Sequence, residues 1–296
     1  MTKKILTIDP KTISQPELHG YLLTAVAPRP ICFASTVDKM GNVNLSPFSF
    51  FNVFSSNPPV LIFSPSRSGR DGSLKHTHQN IVEVPEVSIN IVNYPMVEQM
   101  SLASTAYEKG INEFVKAGFT EVSSEKIKPP RVAEAPVSFE CSVMEIIELA
   151  NTPGAGNLIL AKVELMHINN EFLDVEGKLD THKLDLVGRM GGSWYTRSSG
   201  DSLFEIPKPI RNKGIGVDQL PQGVQNSIVL TGNNLGRLGN LERLPTQEQL
   251  HRIAENPEVK PLVEVAMDVQ KIHALAKKWL DNGEAENALA LLYLLE

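Results

Sequence analysis

The stretch from Phe139 to Leu165, FECSVMEIIELANTPGAGNLILAKVEL, carries the clearest β-strand signal in this chain of 296 residues. Phe139, Cys141 and Val143 alternate with polar residues, and a period of two places them on one face of a strand. A segment rich in asparagine, glycine and proline follows at 151–157, and apolar residues alternate again after it. The pattern predicts a long β-hairpin.

Other elements precede this hairpin. Apolar or alternating stretches predict short strands at 31–37, 60–64 and 87–92. Helices are predicted at 14–27, where a capping-box pattern opens the segment, and at 74–83. Strands and helices do not alternate regularly, so a closed or partly closed antiparallel barrel is favoured over a doubly wound parallel sheet. We therefore predict a mainly β domain with peripheral helices.

The composition changes at about Ser199. Prolines and glycines are frequent from there to position 239, which indicates a loop-rich connector. A second capping-box pattern, from Thr246 to Gln249, opens a helical region. Apolar residues then recur at helical spacing, and they are Leu262, Val265, Val269, Ile272, Ala276 and Trp279. We predict a barrel domain at 1–198 and a connector with a helical C-terminal extension at 199–296.

Composition and charge argue against several classes of function. The formal net charge is −6 and no basic block is present, which argues against nucleic acid as a partner. The longest uninterrupted apolar run, Ala288 to Leu295, is far shorter than the ~20 residues of a membrane-spanning helix. The first residues lack the apolar core of a signal peptide, so we expect a cytoplasmic protein that does not insert into membranes.

Cysteine and histidine spacing gives no sign of a disulfide or a metal site. Cys32 and Cys141 lie far apart among apolar residues, so we expect two reduced, buried thiols. His76 and His78 would diverge on a helix, and no carboxylate or third histidine has metal-ligand spacing. We therefore expect no metal.

The segment Asn44–Asn52, NLSPFSFFN, combines two hydroxyls, two amides and three aromatic rings in nine positions. Serine and asparagine can hydrogen-bond the edge of a heterocycle while aromatic rings cover its faces. The segment therefore suits a flat polar ligand. An ordinary barrel strand, with phenylalanines in the core and polar side chains in solvent, is the alternative.

A second cluster combines hydroxyls and cationic groups around a strand exit and a helix start. Its members are Ser64, Ser66, Arg67, Lys75 and Thr77. Such side chains, with the free N–H groups of a helix N-terminus, can hold an anion. A solvated loop with ordinary surface charges is the alternative. Taken together, a ring-binding wall and a phosphate-binding loop about thirty residues apart match the needs of a flavin mononucleotide.

Both clusters belong to a longer series of motifs that resembles the flavoredoxin branch of the flavin reductase-like family. The resemblance covers roughly residues 10–197. The motifs that carry it, in order, are Ala27–Ile31, Asn44–Asn52, Lys75–Ile81, Asn112–Phe114 with Ala117–Gly118, Pro129–Pro136 with Glu140–Cys141, and Gly188–Tyr195. Their occurrence in this order is more specific than any single motif.

The resemblance implies a Greek-key, antiparallel split β-barrel that binds FMN, forms a homodimer and uses NADH or NADPH as reductant. It places Arg29, Ser46, Pro47, Ser49 and Asn52 along the ring and ribityl chain, with Tyr195 near the cofactor. It also places Ser64, Ser66, Arg67, Lys75 and Thr77 at the phosphate, with Asn80 supporting that loop. Glu113 and Phe114 would approach the substrate side, which makes Glu113 the candidate catalytic proton relay.

Two features depart from the family pattern. His76 stands where the phosphate motif usually has an acidic residue, so the local charge differs. The residues from about 199 onward have no counterpart in the common core of the family. They could cap the pocket, enlarge a dimer interface or bind a protein.

We therefore expect an FMN-dependent oxidoreductase that passes hydride or electrons from NAD(P)H to a small-molecule acceptor, or to a partner oxygenase or other redox protein. Two alternatives remain open. One is a non-enzymatic FMN-binding electron-transfer protein, and the other is a barrel scaffold with an interaction tail and no flavin. The sequence does not distinguish NADH from NADPH.

Overall fold

The computed structural model describes residues 4–206, 213–263 and 268–295. The chain divides into two compact units, the first ending at Phe204 and the second beginning at Glu205. The predicted boundary, between 198 and 199, lies a few residues earlier. Of the predicted features, the prolines at 207 and 209 and the apolar Val265 lie outside the described residues.

The first unit is built around a seven-stranded antiparallel sheet with the strand order β2-β1-β5-β8-β9-β4-β3. Its strands, with two short two-stranded pairs, are β1 (Cys32–Val37), β2 (Val43–Phe48), β3 (Phe51–Ser56), β4 (Pro59–Phe63), β5 (Glu86–Ile91), β6 (Glu121–Val122), β7 (Arg131–Val132), β8 (Val137–Glu148), β9 (Asn157–Ile168), β10 (Val187–Arg189) and β11 (Tyr195–Arg197). Its helices are α1 (Gln15–Ala25), α2 (His76–Glu83), α3 (Val97–Leu102), α4 (Glu113–Ala117) and α5 (Thr181–Leu184). The predicted mainly antiparallel architecture is confirmed.

One continuous stretch supplies both edges of this sheet. Strands β2 and β3 are separated only by Ser49 and Phe50, yet β2 pairs with β1 and β3 pairs with β4. Within the described strands no hydrogen-bonded ladder joins β2 to β3. The sheet is therefore not closed. The sequence predicted a closed or partly closed barrel, and the fully closed form is wrong. The chain crosses from one edge to the other at the segment predicted to bind a ring.

The predicted hairpin forms β8 and β9, the longest strands of the sheet. Two register shifts interrupt their pairing, at Glu140/Cys141 and at Val143/Glu145, as expected for β-bulges. Alternation predicts a polar face at Glu140, but this side chain is 0% exposed. The segment before β7 covers it, and the N–H groups of Glu125 and Lys126 bind its carboxylate.

The sheet is buried on both sides around β1. Cys32 and Ala34 belong to one apolar cluster with Phe63, whereas Phe33 belongs to a second with Phe114. Because side chains alternate along a strand, only a strand covered on both faces is buried at every position. The two cysteines are free and fully buried, as predicted.

Helix α1 ends two residues before its predicted end at Ala27. Arg29 contributes to this end, because its guanidinium donates to the carbonyl oxygens of Leu23 and Val26. Those carbonyls belong to the last turn, where a helix leaves its acceptors unpaired. At the other end the Ser14 hydroxyl accepts from the Glu17 N–H, so half of the predicted capping box forms.

The second unit is helical, as predicted. It contains α6 (Gln222–Gln225), α7 (Gly232–Gly239), α8 (Gln247–Ala254), α9 (Val269–Asp281) and α10 (Ala285–Tyr293). The capping box of Thr246 and Gln249 forms with both hydrogen bonds. Of the predicted apolar stripe, Ile272, Ala276 and Trp279 are buried and Leu262 packs against them, but Val269 is 45% exposed. Within the described ranges, no helix is both long and apolar enough to cross a membrane.

Candidate functional site

The side chains predicted to line a ring lie along the edge strands of the sheet. Ser46 and Pro47 are half-buried on β2, and Ser49 is half-buried in the crossing between β2 and β3. Asn52 is exposed on β3, and its side-chain oxygen accepts from the neighbouring Val53 N–H. The first three are accessible at one edge, whereas Asn52 has already entered the strand at the other edge.

Arg29 is buried and its guanidinium is largely used inside the protein. Besides the two carbonyls at the end of α1, it donates to the Met190 carbonyl at 3.0 Å and to the Ser49 hydroxyl at 3.4 Å. Burial lowers the pKa of Arg29, and the nearby Arg189 lowers it further. The position of Arg29 along the ring and ribityl chain stays a prediction; in the structure its guanidinium holds Ser49 through a hydrogen bond.

Tyr195 reaches the same region through Arg189. The two residues are register partners in the pair of β10 and β11, and the Arg189 guanidinium lies 4.6 Å from the centre of the Tyr195 ring. The backbones of Arg189 and Arg29 exchange hydrogen bonds of 2.8 and 3.0 Å. The structure therefore brings Arg29, Ser49 and Tyr195 to one side of the crossing segment.

Two polar groups in the loop after β4 are buried without a partner. Within the described part of the chain, neither the Ser66 hydroxyl nor the Arg67 Nε has a hydrogen-bond partner. The Ser64 hydroxyl differs, because it accepts from the Asn157 N–H at 3.0 Å. A buried polar group without a partner carries a desolvation cost of about 1–3 kcal/mol. Ser66 and Arg67 are thus groups that an anionic ligand would satisfy.

The first turn of α2 faces the same loop. Lys75 is the exposed N-cap residue, and its side chain does not cap the helix. No acidic residue lies in this first turn, so the positive end of the helix dipole is not offset there. Lys75 therefore remains suited to binding an anion.

Two residues predicted near the phosphate serve the protein interior. The Thr77 hydroxyl donates to Asn44 Oδ1 at 2.8 Å, so Thr77 itself offers only its backbone N–H as a donor at the helix start. Asn80 donates to the Thr36 hydroxyl on β1 at 3.2 Å. Contact of Thr77 with the phosphate and support of that loop by Asn80 stay predictions, with both side chains hydrogen-bonded inside the protein.

A carboxylate from the hairpin joins the loop to α2. Glu148 lies 2.9 Å from Arg67 Nη2 and 3.4 Å from His78 Nε2. Burial lowers the pKa of His78, while Glu148 acts in the opposite direction. Sequence reasoning missed His78 and Glu148 as members of this site. Glu148 is 70 positions or more from both partners, and no local pattern marks it.

The residues predicted to line the ring lie next to the loop after β4 and the start of α2. The Ser64 N–H donates to the Phe50 carbonyl at 2.9 Å, which joins the loop after β4 to the crossing segment. The bond between Thr77 and Asn44 joins α2 to β2, two positions before Ser46. Hydrogen bonds therefore link the two sequence clusters in the fold.

Glu113 does not face solvent or an open cleft. It is 3% exposed, and its two carboxylate oxygens accept from Asn44 Nδ2 and from the Leu45 N–H, both at 2.9 Å. Burial raises the pKa of this carboxyl. The N–H groups of Leu45 and Glu113 and the Asn44 amide bind its charged form and act in the opposite direction, but burial has the larger effect. Phe114 is also buried. That both residues approach a substrate stays a prediction; in this structure both side chains are buried.

Fold and site together define a protein with an open antiparallel sheet in which a loop with unpartnered hydroxyl and guanidinium groups adjoins a polar, aromatic edge. Residues 25–181 match the family model described as a flavin reductase like domain. The chain belongs to this family, as the sequence motifs predicted.

Individual relatives agree with this assignment. An uncharacterised protein of Aquifex aeolicus is 34% identical over 189 residues, which are 64% of this chain and 94% of that protein. The crystal structure of nitrilotriacetate monooxygenase component B from Bacillus cereus is similar with a TM-score of 0.64 and 27% identity, over 69% of this chain and 100% of that one. Flavoredoxin of Desulfovibrio vulgaris is similar in fold, with a TM-score of 0.54, 20% identity, and 71% and 98% of the two chains covered.

Proposed function

We propose that this chain binds FMN and acts as an NAD(P)H-dependent oxidoreductase. Membership of the flavin reductase-like family supports a flavin-related redox activity. When bound, FMN supplies the chemistry, since its ring accepts and releases hydride or electrons. The chain itself supplies binding, orientation and the electrostatic surroundings.

The observation that carries this proposal is the pair of buried, unpartnered groups in the loop after β4. Ser66 Oγ and Arg67 Nε are donors without acceptors among the described residues, and a phosphate offers several acceptor oxygens. Lys75 adds a positive charge at the start of α2, and the first N–H groups of that helix add donors. The residues present therefore fit a phosphate group.

The neighbouring edge fits the remainder of the cofactor. Ser46, Pro47 and Ser49 present half-buried hydroxyl and apolar surface beside the phosphate-binding loop. Tyr195 contributes an aromatic ring on the side held by Arg189. These side chains would hold the ring and the ribityl chain, and Arg29 would fix the orientation of Ser49 through its hydrogen bond.

No acid or base of the protein is needed for this activity. Glu113, the candidate relay, is buried with both oxygens accepting hydrogen bonds. His167, another ionisable group in this unit, binds the buried Glu140 at 2.7 Å. We therefore assign the chain the roles of binding and orienting, and assign no residue to proton transfer.

The electron acceptor that we propose is a small molecule or a partner oxygenase. The second choice is supported by the likeness to a component B of a monooxygenase, at 27% identity and full coverage of that chain. We also propose a homodimer, because edge strand β3 exposes Val53 and Phe54, and exposed apolar edge strands commonly pair with another chain.

Two measurements test the proposal. The absorption spectrum of the purified protein, with FMN added and unbound flavin removed, should show flavin, and denaturation should release it. Steady-state oxidation of NADH and of NADPH should then be much faster with the protein and FMN than with FMN alone. A protein that retains FMN without this acceleration would be a carrier, and one that retains no flavin would be a scaffold. Either result would refute the proposed enzyme.

A further inference from the structure

A buried chain of hydrogen bonds connects three elements of the first unit. One oxygen of Glu113, on α4, accepts from Asn44 Nδ2 at 2.9 Å, and the other accepts from the Leu45 N–H on β2 at 2.9 Å. Asn44 Oδ1 accepts the Thr77 hydroxyl of α2 at 2.8 Å. Glu113, Asn44 and Thr77 are only 3%, 7% and 1% exposed, so water does not compete strongly for these bonds.

The direction of each bond is fixed by chemistry. A carboxylate accepts only, so the Asn44 amide nitrogen must face Glu113 and its oxygen must face Thr77. The hydroxyl of Thr77 therefore has to donate. Replacing Glu113 by glutamine therefore leaves one donor hydrogen of the series without an acceptor, even if the Asn44 amide turns over.

These bonds set the position of the start of α2 relative to β2. The start of α2 carries Lys75 and the free N–H groups proposed to bind phosphate, and β2 carries Ser46 and Pro47 at the proposed ring edge. A phosphorylated flavin must reach both places at once. A shift of about 1 Å between them would misplace one end of the ligand.

We propose that Glu113 is a positioning residue that holds the phosphate-binding end of α2 in register with the ring-binding edge of β2, and so makes the site selective for a phosphorylated flavin over riboflavin. The inference rests on the proposed function. It assigns Glu113 a role in ligand selectivity and none in proton transfer.

A swap of the charged and amide groups tests this directly. Glu113→Gln removes one acceptor, and Asn44→Asp opposes two carboxylates. The double variant restores every bond with the two groups exchanged. Its new aspartate accepts from both the Thr77 hydroxyl and the amide of the new glutamine, while the carbonyl oxygen of that glutamine accepts from the Leu45 N–H.

The assay is a titration of each variant with FMN and with riboflavin, followed by flavin fluorescence. We expect each single variant to bind FMN about tenfold more weakly and riboflavin within about twofold of wild type, since loss of one charge-assisted bond corresponds to roughly that factor. The double variant should regain FMN affinity to within about threefold of wild type. Thermal unfolding of every variant checks that the chain is folded.

Glu121→Gln is the matched control. Glu121 accepts from the Asn112 side chain at 2.7 Å, but at an exposed position, so its replacement should leave the ratio of FMN to riboflavin affinity unchanged. If Glu113→Gln does not fold alone, Asn44→Asp compared with the double variant gives the same test.

Three results would overturn the inference. One is an equal loss of FMN and riboflavin affinity in Glu113→Gln, and another is a folded double variant that binds FMN no better than the single variants. The third is a wild-type protein without FMN binding, which would refute the proposed function as well. If the wild-type protein prefers FMN but either of the first two results is found, the inference fails and the proposed function stands.

Discussion

Replacement of Glu140 by glutamine should loosen the segment before β7, which covers Glu140 and is bound to it through the N–H groups of Glu125 and Lys126. Glu140 is fully buried, and one of its oxygens accepts from the Glu125 N–H at 2.8 Å and from His167 Nε2 at 2.7 Å. The other oxygen accepts from the Lys126 N–H at 2.6 Å. Glutamine keeps one acceptor oxygen and places an NH₂ group against the third donor.

The expected cost follows from that lost acceptor. A hydrogen bond to a buried charged group contributes about 1.5–3 kcal/mol, and a buried N–H left without an acceptor costs a similar amount. Burial works against the charged form of Glu140, but the N–H groups of Glu125 and Lys126 and the imidazole of His167 hold its pKa below the ordinary value. Stability from this carboxylate is therefore present above the pKa of the unfolded chain, near 4.3, and is lost as the pH falls through the lower folded-state pKa.

Hydrogen exchange measures this effect locally, which matters because a chain of two units need not unfold in one step. A loss of about 2 kcal/mol should speed exchange of the Lys126 amide about thirtyfold through local opening. Glu164→Gln is the control, since Glu164 is partly exposed and accepts from the Ser142 hydroxyl at 2.6 Å. Unchanged exchange at Lys126 in Glu140→Gln would refute the reasoning.

Two further predictions concern buried titratable groups. His273 is buried, with its Nδ1 2.7 Å from the Ser227 hydroxyl oxygen, and burial lowers its pKa. The helical unit should therefore be most stable above pH ~6.5, and it should lose stability as the pH falls from there through the lower folded-state pKa of His273. Denaturant unfolding followed by Trp279 fluorescence measures this stability. A denaturation midpoint that does not change between about pH 7.5 and 5 would contradict the prediction. Burial also raises the pKa of Cys32 and Cys141, so neither thiol should react with a thiol-specific reagent until the chain unfolds. Rapid reaction of the folded protein would be the contrary result.

Local patterns in the sequence predict the elements of this fold well. The hairpin of β8 and β9 forms because its alternation extends over many residues. The crossing at Ser49 and Phe50 is less visible, because the residues of Asn44–Asn52 are equally typical of one ordinary barrel strand. Only the pairing of its two halves with β1 and β4 shows that the stretch spans both edges of the sheet.

For the candidate site, the sequence indicates the residue types but not the contacts that each side chain makes. Hydroxyl and cationic residue types indicated an anion site, and Ser66 and Arg67 are the groups left unpartnered there. The hydrogen bonds that Thr77 and Glu113 make inside the protein could not be predicted, because a sequence does not show which internal partners a polar side chain has. Glu148 was missed because its contact with Arg67 spans 81 positions.

Our central claim is that the loop after β4 and the start of α2 bind the phosphate of a flavin. Calorimetric titration of the wild-type protein with FMN and with riboflavin tests it most directly, with Arg67→Ala as the perturbation and the exposed Arg70→Ala, in the same loop, as the control. We predict that wild type binds FMN at least about tenfold more tightly than riboflavin, and that Arg67→Ala removes this preference whereas Arg70→Ala keeps it. Equal affinity of wild type for the two flavins would contradict the claim.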